Sequence, residues 1–104
     1  MLLPGTLNML VLQVLLHGKA NGYEIAKSIE ARSSEALTVD HGSLYPALRR
    51  MESNGWISAD WAISETKRKA RYYALTPAGR KQIGIERHRW RAAVLAVTRV
   101  MRPA

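Results

Sequence analysis

The spacing of apolar residues changes several times along this chain, and it predicts four helices and two strands. Eight of the eleven residues from 7 to 17 are apolar, as in a helix that is buried on most sides, and Thr6 is its expected N-cap. A second helix is predicted over residues 22–32, with Asn21 as its cap. The weak alternation at residues 37–39 fits either a short strand or an extended loop.

A third helix is predicted within residues 41–55, the most informative stretch of the chain. Leu44, Leu48 and Met51 recur at i, i+4 and i+7, as on the inner face of an amphipathic helix. Pro46 is expected in the first turn, where a helix has no backbone hydrogen bond to lose. The outer face of this helix is polar and cationic, and it carries Ser43, Tyr45, Arg49, Arg50 and Ser53.

Two strands joined by a basic turn follow this helix. Residues 56–61 alternate, with Ile57 and Trp61 on the same, inner face of the predicted strand. The turn, residues 62–69, ends in three consecutive cations, and a return strand is predicted over residues 70–75. Helices followed by a β-ribbon have the layout of a winged helix-turn-helix. The sequence therefore predicts a mainly α fold with a small β-wing.

A long helix is predicted to end the chain, from the Thr76-Pro77 start to about Met101. Its apolar residues lie mostly seven apart and form one narrow stripe, which Arg87 interrupts. A domain this small cannot cover such a stripe along its whole length, so we expect the helix to pack on the first helix of a second copy. This divides the chain into a DNA-binding domain, residues 1–76, and a dimerisation helix, residues 77–104. The predicted dimer contacts are Leu7, Val11, Ile83, Trp90, Val94, Val97 and Met101.

The charge of the chain is strongly positive and unevenly placed. The formal net charge is +8, with 16 Lys and Arg against 8 Asp and Glu. Residues 1–41 contribute −1 and residues 42–104 contribute +9. Positive charge thus begins at the third predicted helix, where a contact with nucleic acid would need it, although a cationic surface also serves solubility.

Candidate enzyme chemistry is sparse. There are no cysteines, which excludes disulfides and thiolate ligands. The sequence has no Gly-rich phosphate loop, no HExxH motif and no nucleophile elbow, and its three histidines are scattered. We therefore expect no enzyme activity, no metal and no cofactor. The apolar start, residues 1–16, is expected to be a core helix rather than a signal peptide or a membrane span, because Pro4, Asn8 and Gln13 interrupt it.

The helix-turn-helix pattern gives the cationic residues a role in binding duplex DNA. In such motifs the second of the two helices, which is the third predicted helix of this chain, enters the major groove with its N-terminal half near the bases. Arg49 is expected at the bases and Arg50 at a phosphate, although Arg50 could instead pair with Glu24 or Glu52. Tyr23 could donate to a phosphate or pack on the first helix. The alternative function for the whole protein is a winged helix that binds RNA or a protein. The predicted DNA-binding residues are Tyr23, Ser43, Tyr45, Pro46, Arg49, Arg50, Lys67, Arg68, Lys69 and Arg71.

Four short motifs resemble the PadR-type transcriptional regulators. They are residues 22–26 (GYEIA), 42–48 (GSLYPAL), 55–57 (GWI) and 71–79 (RYYALTPAG), and they occur in the order found in that family. The resemblance covers roughly residues 5 to 100. It implies a cytoplasmic, homodimeric winged-helix repressor that binds a palindromic operator.

The same resemblance implies a central cavity between the two subunits. Trp90 falls where family members place a tryptophan that faces this cavity, and Asn8 falls at a polar position of the first helix that faces it as well. In members that respond to ligands, small aromatic or planar compounds bind there and release the DNA. Some members carry an acidic residue one turn after the tryptophan, and here that position is Val94. The ligand-binding residues implied for this chain are Asn8, Trp90 and Val94.

Overall fold

A computed structural model describes residues 5–103, which form four helices and one three-stranded antiparallel sheet. Residues 1–4 of the predicted first domain, and residue 104 of the predicted dimerisation segment, lie outside the described residues. The mainly α fold with a small β-wing is confirmed. Along the chain the elements are α1 (Leu7–Leu15), β1 (Ala20–Asn21), α2 (Gly22–Arg32), α3 (His41–Ser53), β2 (Ile57–Ile63), β3 (Lys69–Leu75) and α4 (Pro77–Met101).

The hydrophobic core lies where α1, α2 and α3 meet the sheet and the first two turns of α4. The predicted inner stripe of α3 is confirmed, because Leu44, Leu48 and Met51 are fully buried. Ile83 brings α4 into the same core. The wing and α4 therefore both extend from the same hydrophobic core. The other buried apolar residues are Val11, Leu12, Val14, Leu15, Ile25, Ala26, Ile29, Val39, Ala47, Ile57 and Tyr73.

The sheet has β3 in its centre, with β1 on one side and β2 on the other. The pairing of β2 with β3 runs from Ile57 opposite Leu75 to Ile63 opposite Lys69. This hairpin is longer than predicted, and the turn shrinks to residues 64–68. Strand β1 was not predicted at all, because two residues are too few to show an alternating pattern.

Capping side chains set most of the helix starts. Asn21 forms a capping box with Glu24, in which each side chain accepts from the backbone N–H of the other residue, at 2.8 and 3.0 Å. Thr76 accepts from the N–H of Gly79 at 3.0 Å. These two caps confirm the predictions. Thr6 occupies the N-cap position of α1, but its side chain makes no capping hydrogen bond, and α1 ends at Leu15 rather than at residue 17.

The sequence predicted Pro46 in the first turn of α3, but the helix begins about one turn before that. Asp40 caps this helix, so His41 is its first residue and Pro46 its sixth. Pro46 thus lies inside the helix and not in the first turn, and it has no N–H to donate to the carbonyl of Gly42. The preceding residues 37–39 form an extended loop without strand pairing, which decides between the two predicted alternatives.

Helix α4 is 25 residues long and projects from the core. Every described side chain from His88 to Pro103 is exposed. The described residues extend 57 Å along the longest axis and 22 Å along the shortest, because the distal half of this helix projects beyond the core. Among the described residues, no helix is both long enough and apolar enough to span a bilayer.

Candidate nucleic-acid interface

A groove of about 780 Å³ lies between the start of α2, the outer face of α3 and one face of the wing. Six of the predicted DNA-binding residues line it: one from α2, two from α3 and three from the wing. Its walls combine aromatic rings with cations, and they include Tyr23, Tyr45, Arg49, Trp61, Arg68 and Arg71.

The N-terminal end of α3 is organised by the carboxylate of Asp40. The N–H of Gly42 and the hydroxyl of Ser43 each donate to this carboxylate at 2.8 Å. The Ser43 hydroxyl, followed by the Gly42 N–H, holds the pKa of Asp40 below its ordinary value. Ser43 therefore presents its hydroxyl oxygen as an acceptor on an exposed surface, while its proton is engaged by Asp40.

Tyr45 lies against the start of α2. Its ring meets the His41 ring edge-on, with 5.7 Å between centroids and 67° between planes. A Cβ at Gly22 would lie 2.8 Å from the Tyr45 hydroxyl oxygen, so a larger residue there would require this tyrosine to move. Tyr45 is 39% exposed and packs on the start of α2, where it lines the groove.

Arg49 and Arg50 are exposed on the outer face of α3. A second, shallower depression of about 420 Å³ runs beside them, lined by Pro46, Arg49, Arg50, Ser53 and Asn54. Among the described residues Arg50 forms no ion pair with Glu24 or Glu52, so that alternative is wrong. Glu24 instead forms the capping box, and Glu52 pairs with Arg71.

Tyr23 is 60% exposed in the first turn of α2. The ammonium of Lys27, one turn later, lies 5.6 Å from the centre of its ring. The tyrosine therefore stands at the edge of the groove with a cation beside it. This is the position from which a hydroxyl and the N-terminal N–H groups of α2 could approach a phosphate.

The tip of the wing presents three exposed cations, Lys67, Arg68 and Lys69. None of them forms an ion pair with any side chain between residues 5 and 103. The N–H of Lys67 donates to the Ser64 carbonyl at 2.8 Å, and Lys67 has a left-handed φ of 61°. The turn is therefore compact, and the three cations at the wing tip are available to an external anion.

Arg71 differs from the cations at the tip. Its Nη2 donates to Glu52 Oε2 at 3.0 Å, and its guanidinium lies between the rings of Trp61 and Tyr73, 5.9 and 6.0 Å from their centroids. Burial raises the pKa of the Tyr73 phenol, which packs beneath this pair. The structure thus gives Arg71, predicted to bind a phosphate, partners within the protein.

Sequence reasoning missed Asp40 and Glu52, which hold groove-side elements in place, and misjudged the exposure of Trp61, which lines the groove. Trp61 was predicted on the inner face of its strand; it does lie on that face, but the strand has passed beyond the core and Trp61 is 65% exposed. Asp40 carried a signal that could have been read, since Asp before an amphipathic stretch favours an N-cap. Glu52 carried none, because its partner lies 19 residues away.

The predicted dimer residues fall into two groups. Val11 and Ile83 are buried in the core of their own chain, and Leu7 is partly buried beside it, so a proposed dimer surface excludes Val11 and Ile83. Val97 and Met101 are exposed on α4, at 61% and 76%. Of the residues implied for ligand binding, Asn8 is partly buried on α1, while Trp90 and Val94 are exposed at 39% and 43%.

No group of three or more His, Asp or Glu side chains suited to a metal ion occurs among residues 5–103. The arrangement instead offers cations, aromatic rings and a helix start on one concave surface. A helix-turn-helix with a wing on this plan defines a winged-helix protein of the class that regulates transcription.

The chain belongs to the transcriptional regulator PadR-like family, whose family model matches residues 11–85. A protein of Mycobacterium tuberculosis named "Probable transcriptional regulator Rv1176c" is 29% identical over 89 residues, which are 86% of this chain and 45% of that protein. The "Negative transcriptional regulator PadR" of Bacillus subtilis is 26% identical over 80 residues, which are 77% of this chain and 42% of that protein. This chain thus spans less than half the length of both relatives.

A solved structure of similar size has the same fold along nearly its whole length. It is a transcriptional regulator from Clostridium thermocellum, with a TM-score of 0.86 and 30% sequence identity. The match covers 94% of this chain and 95% of that one. The structural similarity therefore includes the helices and the wing, and it extends beyond residues 11–85, which the family model matches.

Proposed function

We propose that this regulator acts as a homodimeric repressor that binds a palindromic duplex through α3 and the wing. The observation that carries the proposal is the groove, in which the outer face of α3, the start of α2 and the basic wing converge. The repressor role is supported by the Bacillus subtilis relative, which is named as a negative regulator. The proposed location is the cytoplasm, where such a protein meets DNA.

In this proposal the two faces of the groove have different tasks. Helix α3 enters the major groove, with Ser43, Tyr45, Pro46 and Arg49 approaching the bases, because these residues lie on its outer face within the first nine of its 13 residues. The remaining cations and Tyr23 hold the sugar-phosphate backbone and add no sequence preference. These backbone-binding residues are Tyr23, Arg50, Lys67, Arg68 and Lys69.

The distal half of α4 supports the proposed dimer. Trp90, Val94, Val97 and Met101 follow one another at helical spacing on a segment that one copy leaves exposed. A second copy that covers this stripe would bury it and would set the distance between two α3 helices. In this division, residues 1–76 bind DNA and residues 77–104 dimerise, while the first two turns of α4 also complete the core.

A small aromatic effector would act at the centre of that dimer, near Asn8, Trp90 and Val94. The exposure of Trp90 and Val94 in one copy supports this placement, because both side chains remain open for a partner or a ligand. Release of DNA requires the compound to bind more tightly to the conformation that cannot bind the operator. Equal affinity for both conformations would leave the DNA bound.

The test is a fluorescence-anisotropy titration with the duplex upstream of the protein's own gene. We expect tight binding, and we expect the logarithm of the binding constant to fall steeply as the logarithm of the salt concentration rises. Arg49→Ala should weaken binding to this duplex by about 1–3 kcal/mol and binding to a scrambled duplex much less. An RNA hairpin of equal length serves as competitor. A protein that binds neither duplex at low salt, or prefers the hairpin, would overturn the proposal.

A further inference from the structure

The wing is supported unevenly along its length. Strand β1 pairs with β3 only at Tyr72 and Tyr73, so the wing from Arg71 to the tip is a two-stranded ribbon. On this ribbon Trp61 and Ile63 are both 65% exposed, because the helices no longer cover its inner face. Isolated two-stranded ribbons are marginally stable. The few contacts at the base of the ribbon therefore decide where its tip points.

Arg71 is the first residue of β3 beyond this support, and it reaches back to α3. Glu52 accepts from its guanidinium, Trp61 stands directly opposite it in the strand pairing, and Tyr73 lies two residues along the same face. One carboxylate and two rings thus surround the guanidinium. Its Nε atom is buried without a hydrogen-bond partner among the described residues, while the side chain as a whole lines the groove and is 38% exposed.

We propose that Glu52 and Arg71 form a clamp that positions the wing against α3, and that Arg71 does not itself bind a phosphate. The inference rests on the proposed DNA-binding function and changes the role predicted for Arg71. Glu52 lies in the last turn of α3, one turn beyond Arg49. The clamp therefore joins the helix that approaches the bases to the ribbon that carries Lys67, Arg68 and Lys69.

The two roles of Arg71 predict opposite signs for a single substitution. If Arg71 bound a phosphate, Glu52 would compete with the DNA for the guanidinium, and Glu52→Gln would tighten binding. If the pair is a clamp, Glu52→Gln weakens binding, although it removes a negative charge from the side that faces DNA. Asp60→Asn is the matched control, because it removes the same charge from an exposed position on the opposite face of the wing.

The experiment measures duplex affinity for the wild type, Glu52→Gln, Arg71→Gln, the double variant and Asp60→Asn, all in one salt. We expect each single variant of the clamp to bind about threefold to fivefold more weakly, and the double variant to bind no more weakly than the worse single one. Asp60→Asn should bind at least as tightly as the wild type. The exchange E52R/R71E, which keeps the net charge, should recover part of the loss.

The outcomes separate this inference from the proposed function. Tighter binding by Glu52→Gln, or losses that multiply in the double variant, would overturn the clamp while the regulator still binds DNA. A wild type that binds no duplex at low salt would overturn the proposed function as well. Circular dichroism shows whether each variant is folded. If Glu52→Gln does not fold, Glu52→Asp takes its place, because the shorter side chain withdraws the carboxylate and should also weaken binding.

Discussion

Arg87 of α4 donates a hydrogen bond through Nη2 to the side-chain carbonyl oxygen of Gln13 on α1. In the sequence both residues stand out as interruptions, Gln13 in an apolar helix and Arg87 in an apolar stripe. The structure shows that each is the partner of the other, 74 residues apart. The bond joins α4 to α1 one turn after Ile83, the last buried side chain of α4. It marks the point at which this helix leaves the core.

Arg87→Ala is expected to lower the free energy of unfolding by about 1–2 kcal/mol, because the variant lacks a charge-assisted and partly buried hydrogen bond. Gln13→Ala should have a similar effect, and the double variant little more than either single one. Urea denaturation measures these differences. Arg91→Ala, one turn later and exposed, is the control and should change stability by less than about 0.5 kcal/mol.

Replacing each of two glycines of α4 by alanine should change the stability of the fold in opposite directions. A Cβ at Gly79 would overlap the carbonyl oxygen of Trp56 and approach the Leu75 side chain to 2.9 Å, whereas a Cβ at Gly84 would meet nothing within 4 Å. Gly79→Ala should therefore destabilise the fold by about 1–3 kcal/mol. Gly84→Ala should stabilise it by about 0.5–1 kcal/mol. Thermal unfolding of both variants tests the packing of α4, and equal shifts would contradict it.

The cations of the wing tip should act mainly through phosphates. Replacing Lys67, Arg68 and Lys69 by alanine is expected to lower the slope of log affinity against log salt by up to about three, close to one for each phosphate that the variant no longer neutralises. The matched control removes three charges from the distal part of the chain, in the variant R91A/R99A/R102A. A slope that falls equally in both variants would assign the effect to net charge alone.

Tyr73 should make the fold sensitive to alkaline pH. Burial raises the pKa of its phenol above the ordinary value of 10.0, so the native state favours the neutral form. The corresponding stability is fully present below about pH 10 and is lost as the pH rises through the higher folded-state pKa. Urea midpoints of wild type and Tyr73→Phe, compared from about pH 8 to about pH 11, should show a shallower alkaline decline in the variant. Parallel declines would remove Tyr73 as the cause.

The proposed dimer can be broken at its exposed stripe. Val97→Glu places a charge where a second copy is expected to bury an apolar side chain, so the variant should sediment as a monomer at concentrations at which the wild type is a dimer. Thr98→Glu introduces the same charge at the neighbouring exposed position outside the stripe, and it should leave the dimer intact. Sedimentation velocity distinguishes them. A monomeric wild type would refute the proposed assembly.

The sequence was most informative where a pattern repeats over several turns or ends at a cap. The stripe of α3 and the caps Asn21 and Thr76 depend on neighbouring residues, and each is found as predicted. Contacts between distant segments left no such local signal. The pairs Glu52–Arg71 and Gln13–Arg87 depend on how the strands and helices meet, so the sequence showed only charged or polar residues in unexplained places.

The position of Trp61 shows a second limit. Alternation correctly placed it on the inner face of β2, but the pattern does not show where the core beneath a strand ends. The core ends before Trp61, because the ribbon extends beyond β1 and the helices. The register of the two strands decides which residues reach this uncovered part, and the turn sets that register.

Asn21 belongs to two elements at once, because it pairs with Tyr72 in the sheet and caps α2. No connecting residue separates the strand from the helix, so an insertion or deletion here would break the strand pairing and the cap together. The turn at residues 64–68 is under no such double constraint. Among natural relatives, differences in chain length should therefore collect at this turn and be absent between residues 20 and 22, so that the reach of the wing can diverge while its attachment to α2 stays the same.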